Sequence, residues 1–358
     1  MRAAIFVGEG EPLSIEEVTP RPPGPKDVTV EVLASGVCHS DLSIVNGYVP
    51  LPPPSILGHE GAGVVLEVGA EVGRVRPGDR IVASFVPACG TCFYCLHDRA
   101  NLCEQMWSFS AVPRATRPDG SVVTAMTGLG TFSDVMTIDE RSVVKVDTDL
   151  PVEQLALIGC GVTTGVGAAL NTARVEPGST VAVVGCGGVG TAVIQGARIA
   201  GAARIIAVDP IELKRKTAEQ LGATDLVDPS QGDPVAQVQA LTSGRGADYA
   251  FEVIGLPETI IQAFSMARPG GTAVIVGMPR MDATVTFPAW QLFGGEKRLL
   301  GCVYGSAQVK RDFHRFIALA ETGRLDLGAM VSRRISLDEV NDAFKAMEAG
   351  EVIRSVIV

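Results

Sequence analysis

The chain has 358 residues, of which 46% are hydrophobic and 20% are charged, and its formal net charge is -10. Because a chain of this length exceeds one ordinary hydrophobic core, we expect two domains. The acidic balance argues against nucleic acid or an anionic membrane surface as a partner, although it leaves room for a local cationic pocket that binds phosphate groups.

The first part of the chain predicts a β-rich domain with many loops. Residues 28–33 and 64–68 have the pattern of half-buried strands, and glycine and proline interrupt the sequence throughout. The N-terminus has no long apolar run that would mark a signal peptide. Residues 178–197 carry no charge, but their glycines and their strand–turn–helix pattern argue against a membrane span, so we expect a cytoplasmic protein.

Between residues 162 and 303 the pattern changes to alternating strands and helices, which predicts a doubly wound parallel sheet. Residues 304–358 add two helices and a terminal strand, and we expect them to return to the first domain. The expected domains are therefore 1–161 with 304–358, and 162–303. The six predicted strands of the second domain are 180–184, 204–208, 226–227, 249–253, 272–276 and 299–303, and its main helices are 189–200, 212–221, 235–241 and 257–267.

A glycine-rich turn follows the first of these strands and opens the next helix. Its G-x-G-x-x-G spacing is typical of dinucleotide binding, because glycines permit a tight turn and let backbone N–H groups approach a pyrophosphate at a helix N-terminus. A glycine-rich turn in an unrelated α/β protein is the alternative. The residues predicted to contact the cofactor here are Gly185, Gly187, Gly188, Val189 and Gly190.

Asp209 lies at the tip of the second strand, 24 residues after Gly185. There its carboxylate can accept hydrogen bonds from the hydroxyls of the adenosine ribose and would repel a 2′-phosphate, so the sequence favours NAD over NADP. Lys214, one turn into the following helix, is predicted to reach the same ribose. The alternatives are an ordinary helix cap for Asp209 and a solvated helix face for Lys214.

Four of the eight cysteines lie within fifteen residues. In an unsecreted protein this crowding indicates a metal site rather than disulfides. Four thiolates complete the tetrahedral coordination of Zn²⁺, so we predict a closed, structural zinc site, with a disulfide pair or an iron–sulfur cluster as the alternatives. The predicted ligands are Cys89, Cys92, Cys95 and Cys103, and His97, inside the same segment, is expected at the surface.

Cys38, His59 and Cys160 form a second candidate metal set. Each residue alone is compatible with the ordinary packing of a buried side chain. Together, two thiolates and an imidazole leave the fourth position of zinc open to water or substrate, which is the arrangement of a catalytic site.

The chain resembles the zinc-dependent medium-chain alcohol dehydrogenases along its whole length, close to their class III-like and bacterial nicotinoprotein branch. The resemblance implies an α/β protein, with a GroES-like β-rich catalytic domain and a Rossmann domain that contains a six-stranded parallel sheet. The motifs that carry it occur in family order: G-V-C-H-S-D at 36–41, G-H-E-G-A-G at 58–63, the four-cysteine segment, G-C-G-V-T-T-G at 159–165 and the glycine-rich turn.

The resemblance implies that Cys38, His59 and Cys160 bind a catalytic zinc ion. Glu60 would lie behind this metal, either beyond its direct ligands or as an exchanging ligand. Asp41 would bind the other ring nitrogen of His59 and so fix its tautomer. The expected cofactors are thus one catalytic and one structural zinc ion per chain, together with NAD.

By the same resemblance, His39 and Arg354 would lie at the pyrophosphate and Thr164 at the nicotinamide, unless the first two are solvated surface groups. The expected reaction transfers hydride between an alcohol carbon and nicotinamide C4, and Ser40 would be the first group to accept the alcohol proton. The next proton carrier in the family is a histidine five residues after the first zinc cysteine. That position is Ser43 here, so the proton must leave through His39, a water molecule or Ser43.

The pocket walls implied by the resemblance are Val49, Phe85 and Phe132, with Ser40, and they suit a primary alcohol or aldehyde with an aliphatic or aromatic tail. One alternative is a nicotinoprotein, in which NAD stays bound and an external acceptor reoxidises it. A thiol-adduct formaldehyde dehydrogenase is disfavoured, because residues 122–127 carry no arginine where that branch of the family binds the carboxylate of glutathione. A cofactor-binding sensor that has lost its activity is disfavoured, because Cys38, Ser40, His59 and Cys160 are all present.

The strand predicted at 299–303 would form an exposed edge of the sheet, which needs covering. The resemblance implies that this edge pairs across a two-fold axis, so we expect a homodimer or a homotetramer.

Overall fold

The computed structural model describes all 358 residues. The chain divides into two compact units: the first comprises residues 1–161, 308–323 and 331–358, and the second comprises 162–307 and 324–330. This division differs from the expected boundaries at residues 304–307 and 324–330. Residues 324–330 join the second unit because Asp326 binds buried Gln195. The side-chain amide of Gln195 donates to the Asp326 backbone oxygen at 3.0 Å and accepts the Asp326 N–H at 2.7 Å.

The first unit is rich in β-strands, as its sequence predicts, and most of its strand pairs are antiparallel, with β5–β9 as a parallel exception. Strand β4 pairs with β6 along most of its length, and this register places Gly36 opposite Glu60. One sheet has the order β2-β1-β5-β9-β8-β3 and a second begins β11-β7-β6-β4, with β10 also on β4. The strands are β1 Arg2–Phe6, β2 Ser14–Glu17, β3 Thr19–Pro20, β4 Asp27–Gly36, β5 Ser55–Ile56, β6 Glu60–Val68, β7 Arg80–Ala83, β8 Ala115–Thr116, β9 Val122–Ala125, β10 Val135–Asp139 and β11 Val143–Lys145.

The second unit contains the predicted six-stranded parallel sheet, which confirms the Rossmann fold. Its strands are β12 Thr180–Val184, β13 Arg204–Val208, β14 Asp225–Val227, β15 Ala247–Glu252, β16 Ala267–Ile275 and β17 Arg298–Gly301. They lie in the order β14-β13-β12-β15-β16-β17. Successive strands are therefore added first on one side of β12 and then on its other side, beginning with β15. In such sheets ligands bind in the crevice beyond the carboxyl ends of the strands at this reversal.

The end of the chain returns to the second sheet of the first unit. Strand β18 (Arg333–Ile335) pairs with β19 (Ser355–Ile357), and β19 pairs with β4. Their pairing completes the order β11-β7-β6-β4-β19-β18.

The α-helices are α1 His39–Val45, α2 Phe93–Leu96, α3 Val152–Leu157, α4 Thr163–Gly167, α5 Gly188–Ala200, α6 Glu212–Gln220, α7 Pro234–Leu241, α8 Pro257–Met266, α9 Ala289–Phe293, α10 Val309–Glu321 and α11 Val340–Glu348. Two π-helical turns, Ile158–Val162 and Ala168–Ala173, join α3 and α4 into one run. This run, Val152–Ala173, has the length and composition of a membrane span, but 78% of its most apolar window is buried inside the protein, which accounts for its apolar character by packing.

Candidate active site

Cys38, His59, Glu60 and Cys160 meet in the first unit, where their ligand atoms all lie within 4.8 Å of one another and every side chain is buried. We call these four residues the ligand cluster. Cys38 is the residue before α1, His59 and Glu60 stand at the start of β6, and Cys160 lies in the π-helical turn after α3. π-Helical turns occur frequently at functional sites. The structure thus brings together residues separated by as much as 122 positions in the sequence.

Asp41 connects the two loops that carry Cys38 and His59. One carboxylate oxygen accepts the Cys38 N–H at 3.0 Å, and the other lies 3.1 Å from both the Gly58 N–H and His59 Nδ1. Burial alone would lower the pKa of His59, but the Asp41 carboxylate raises it above its ordinary value. With Nδ1 donating to Asp41, Nε2 is the ring nitrogen that remains for a metal.

Replacing Asp41 with asparagine is expected to weaken binding of the metal predicted at the ligand cluster or to reduce activity by about 10- to 100-fold, because an amide cannot orient the His59 ring as a carboxylate does. The check is the rate of zinc transfer to a chromogenic chelator. The four-cysteine site supplies an internal control, since its zinc should leave at the wild-type rate. An unchanged rate for both zinc ions would contradict the role of Asp41.

Glu60 is fully buried beside Arg354. Glu60 Oε1 lies 3.5 Å from Arg354 Nη1 and 3.3 Å from the Gly161 nitrogen. Burial raises the pKa of Glu60 to about 7, against the opposing effect of the Arg354 charge. Arg354 is itself buried and donates to the backbone oxygen of Val37 at 3.0 Å. The pairing of Arg354 with Glu60 was not evident from the sequence, which placed them 294 residues apart.

Glu60 Oε2 is buried and has no hydrogen-bond partner. It lies against Gly36, where a Cβ atom would be only 2.0 Å from it. Glycine leaves room for this oxygen without any shift of the Glu60 side chain, so Gly36 is a residue of the site that the sequence analysis missed. The signal that could have found it is the pairing register of two strands, which no local pattern reveals.

The donor set of the ligand cluster suits a zinc ion. The side chain of Cys160 hydrogen-bonds to Cys38 and, with the charge of Arg354, lowers the pKa of the Cys38 thiol despite its burial. Two thiol groups, one oriented imidazole and an unpartnered carboxylate oxygen converge in a buried space. Soft sulfur and imidazole nitrogen are the ligands that zinc takes in catalytic sites.

The predicted pocket residues have different environments. Ser40 Oγ lies 3.8 Å from Cys38 Sγ, and the half-buried ring of Phe85 lies edge-on to the His59 ring, with 5.8 Å between the ring centroids. Val49 is half-buried and packs against the core of the first unit. Phe132, by contrast, is fully buried among the core residues and exposes no surface. Ser40 and Phe85 are therefore the predicted pocket residues that the structure places at the ligand cluster.

The four clustered cysteines also converge in the first unit, with sulfur–sulfur distances of 3.9 Å for Cys89–Cys95 and 4.0 Å for Cys92–Cys103. Four sulfurs about 2.3 Å from a tetrahedral zinc ion lie about 3.8 Å apart, whereas disulfide sulfurs lie about 2.05 Å apart. Backbone N–H groups of Thr91 and Cys92 point at Cys89 Sγ, and they contribute to a lowered pKa of about 6. The geometry suits a closed metal site.

The glycine-rich turn of the second unit leaves space for a ligand at the start of α5. Gly185 has φ +92°, in the left-handed region, and a Cβ atom at Gly190 would lie 1.9 Å from the Gly185 oxygen. A Cβ atom at Gly187 would meet nothing within 4 Å. The first N–H groups of a helix have no partner within it, and they attract phosphate groups. Gly188 and Val189, half-buried, form the first turn of this helix.

Asp209 is buried at the tip of β13, and both of its carboxylate oxygens accept backbone N–H groups. Oδ2 accepts from Cys186 in the glycine-rich turn at 2.8 Å, and Oδ1 accepts from Ile211 at 2.9 Å. The predicted ribose contact must therefore use the remaining lone pairs of these oxygens. Lys214 and Thr164 are half-buried in the second unit, and His39 is exposed at the start of α1.

Residues 24–148 match the alcohol dehydrogenase GroES-like domain family, and residues 188–322 match the zinc-binding dehydrogenase family. An NDMA-dependent alcohol dehydrogenase from Amycolatopsis methanolica is 39% identical over 100% of this chain and 98% of its own length. The chain belongs to the zinc-dependent medium-chain alcohol dehydrogenases. The family assignment makes it an oxidoreductase that uses zinc and a nicotinamide cofactor.

Two solved dehydrogenases have the same fold over nearly the whole chain. The benzyl alcohol dehydrogenase of Acinetobacter calcoaceticus is 31% identical with a TM-score of 0.93, and the match covers 99% of this chain and 98% of that one. A zinc-binding dehydrogenase from Sinorhizobium meliloti, solved bound to NADP, is 30% identical with a TM-score of 0.83, over 100% and 98%. The expected combination of GroES-like and Rossmann domains is thereby confirmed.

Proposed function

We propose that this alcohol dehydrogenase oxidises primary alcohols reversibly to aldehydes with NAD as the hydride acceptor. The observation that carries the proposal is the ligand cluster, in which Cys38, His59 and Cys160 are buried together and Ser40 stands beside the first of them. We assign the catalytic zinc ion to Cys38, His59 and Cys160, with Glu60 as an exchanging ligand, and the structural zinc ion to the four clustered cysteines.

The bound zinc ion would act as a Lewis acid that lowers the pKa of an alcohol hydroxyl. The residues of the chain have complementary tasks. Asp41 fixes the tautomer of His59, Arg354 balances the charge of Glu60, and Phe85 presents an apolar surface to the substrate chain. Ser40 Oγ is placed to accept the proton of the alcohol and to pass it on to His39, a water molecule or Ser43.

The preference for NAD is proposed from Asp209. Because two backbone N–H groups fix its carboxylate, Asp209 cannot rotate away from a 2′-phosphate without leaving buried N–H groups unpaired. The NADP bound to the Sinorhizobium meliloti relative makes the opposite preference a real alternative. We assign contacts with the dinucleotide to the glycine-rich turn, Asp209 and Lys214, with Thr164, His39 and Arg354 as further candidates.

The test is an alcohol and aldehyde panel measured with NAD and with NADP, on protein whose zinc content is known. We expect NADH formation with primary alcohols that carry aliphatic or aromatic tails, and a kcat/KM for NAD well above that for NADP. A higher kcat/KM with NADP would contradict the cofactor preference. Failure of every alcohol on zinc-replete protein would contradict the activity.

Replacing Ser40 with alanine is expected to lower kcat by about 10²- to 10³-fold, because proton transfer by a placed side chain contributes on this scale. Zinc content and the dissociation constant for NAD should stay at wild-type values, since the Ser40 hydroxyl is neither a metal ligand nor a cofactor contact. Ser40→Thr is the matched variant, because it keeps a hydroxyl and should restore much of the rate. Near-normal turnover of Ser40→Ala would remove Ser40 from the proton path.

A second candidate function is a nicotinoprotein alcohol dehydrogenase, in which NAD remains bound and an external acceptor reoxidises it. The observation that favours it is the relative from Amycolatopsis methanolica, which is named for a dependence on NDMA. Denaturing the purified protein by heat and measuring the released NAD discriminates the two. About one NAD per chain and no accumulation of free NADH would support this function, whereas protein purified without NAD would exclude it.

We also propose that the protein forms a homodimer or a homotetramer in the cytoplasm. Strand β17 pairs only with β16, and the side chains of Met281, Trp290 and Phe293 nearby in the sequence are 80%, 73% and 76% exposed. An unpaired edge and exposed apolar side chains favour association. All eight cysteines are unpaired, as in a reducing compartment. Light scattering tests the oligomeric state, and cell fractionation tests the cytoplasmic location.

A further inference from the structure

Glu252, the last residue of β15, is a buried carboxylate that the mechanism does not use. It stands at the carboxyl edge of the parallel sheet, in the strand next to β12 on the side where the strand order reverses. Its side chain is fully buried, which raises its pKa. Burying a carboxyl group is unfavourable unless its hydrogen bonds compensate, so its partners indicate what it does.

The partners of the Glu252 side chain all belong to the turn that follows β15 and to the start of α8, where the Leu256 N–H also acts on the carboxylate. Oε1 accepts the N–H of Ile254 at 2.8 Å, the N–H of Gly255 at 2.7 Å and the hydroxyl of Thr259 at 2.8 Å. Oε2 is buried and has no partner. Oε1 therefore accepts three hydrogen bonds that fix the turn.

The backbone of Glu252 fixes the neighbouring turn as well. Its carbonyl oxygen accepts the N–H of Val276 at 2.8 Å and the N–H of Gly277 at 3.0 Å, just after β16. The two turns touch, since a Cβ atom at Gly277 would lie 2.2 Å from the Gly255 nitrogen, and one at Gly255 would lie 2.4 Å from the Met278 oxygen. These contacts are between backbone atoms, so the two turns pack directly against each other.

The turn after β15 also touches the glycine-rich turn. Val253 donates its N–H to the Val184 oxygen at 2.9 Å, and a Cβ atom at Gly185 would lie 2.6 Å from Ile254 Cγ1. The turns after β12, β15 and β16 thus form one continuous surface at the crevice where a doubly wound sheet binds its dinucleotide. Glu252 contacts the turns after β15 and β16 directly, and it reaches the glycine-rich turn through Val253 and Ile254.

We propose that Glu252 is a positioning residue for the nicotinamide dinucleotide: through Oε1 it fixes the shape of the three-turn surface on which the cofactor lies. The inference rests on the proposed use of a nicotinamide dinucleotide. Because Oε1 accepts all three hydrogen bonds and Oε2 accepts none, the acceptor and not the negative charge performs this role. Glutamine keeps the acceptor, whereas methionine, of similar length, removes it.

The test measures the dissociation constant for NADH by fluorescence titration of the zinc-replete protein, at a temperature where circular dichroism shows every variant folded. Glu252→Met is expected to raise the dissociation constant about tenfold or more, because three hydrogen bonds that fix the turn are lost. Glu252→Gln should remain within about threefold of wild type, although its buried amide donors lack acceptors and lower the melting temperature. Glu258→Gln is the matched control, because Glu258 is exposed on the same helix and should bind NADH as wild type does.

The contrast between the two Glu252 variants separates positioning from stability. If both raise the dissociation constant in proportion to their loss of melting temperature, or if Glu252→Met binds NADH normally, the proposal is overturned. If Glu252→Met does not fold, Thr259→Val decides: a rise of about two- to threefold supports the proposal and wild-type affinity overturns it. Wild-type protein that binds neither NADH nor NADPH would overturn the cofactor assignment itself.

Discussion

Replacing Cys160 with serine is expected to lower the zinc content from about two ions per chain to about one and to reduce kcat/KM by at least about 10³-fold. A serine hydroxyl does not supply the soft, readily ionised donor that zinc takes from cysteine. The loss extends to Cys38, because the Cys160 side chain is the largest influence that lowers the pKa of the Cys38 thiol. Zinc is counted by elemental analysis after gel filtration.

Cys302→Ser is the matched control for Cys160→Ser. Cys302 is also buried, yet it belongs to neither metal cluster and contacts Thr172 at 3.3 Å. Its replacement should leave the zinc count and the activity at wild-type values. A Cys160→Ser protein that still binds about two zinc ions per chain would show that Cys160 is not a ligand.

Replacing Cys103 with serine is expected to remove the structural zinc ion and to lower the melting temperature on the order of 10 °C, because binding of such ions contributes directly to folding. Cys103 is 3% exposed, its sulfur lies 4.0 Å from that of Cys92, and it accepts the N–H groups of Cys89 and Gln105. The segment between residues 89 and 103 has only the short helix α2, a 3-10 turn at Ala100–Leu102 and four exposed large hydrophobic side chains, so we expect metal coordination to replace the missing core.

Two measurements locate the effect of Cys103→Ser in the four-cysteine segment. The zinc count should fall by about one ion per chain, and limited trypsin digestion should produce a new cleavage after exposed Arg99. The ligand cluster should keep its zinc, because its residues lie on other elements. An unchanged zinc count together with an unchanged digestion pattern would contradict a metal at this site.

The parallel sheet was the part of the fold that the sequence predicted best. Strands β12 and β13 begin and end at the predicted residues, because each is a continuous apolar run bounded by glycine or by a charged residue. Strand β16 begins at Ala267, five residues before the predicted start, and includes Gly270 and Gly271. Of the added residues only Ala267 pairs with β15, opposite Ala247, and the two glycines lie in the register shift before the Tyr249–Thr272 pair, so no local apolar pattern marks this segment.

The residues of the ligand cluster could be proposed from motifs, but their surroundings could not. Arg354 reaches Glu60 only because β19 pairs with β4, a consequence of chain topology rather than of local sequence. For the same reason the sequence could not show that Phe132, predicted as a wall of the substrate pocket, is buried among the core residues. Glu252 gave a weak local signal, an acid at the end of an apolar strand before a glycine, but its partners became visible only in three dimensions.

Gly36 shows how far a residue without a side chain can constrain a metal site. Its backbone conformation is open to any residue, so glycine matters here through space: a Cβ atom would have to displace the end of the Glu60 side chain, with Oε2 moving from 2.0 Å to at least 3.0 Å. A single methyl group on β4 would thus move a potential metal ligand by about an ångström without changing any donor atom. For protein engineering, position 36 therefore offers a way to shift the Glu60 carboxylate from the neighbouring strand.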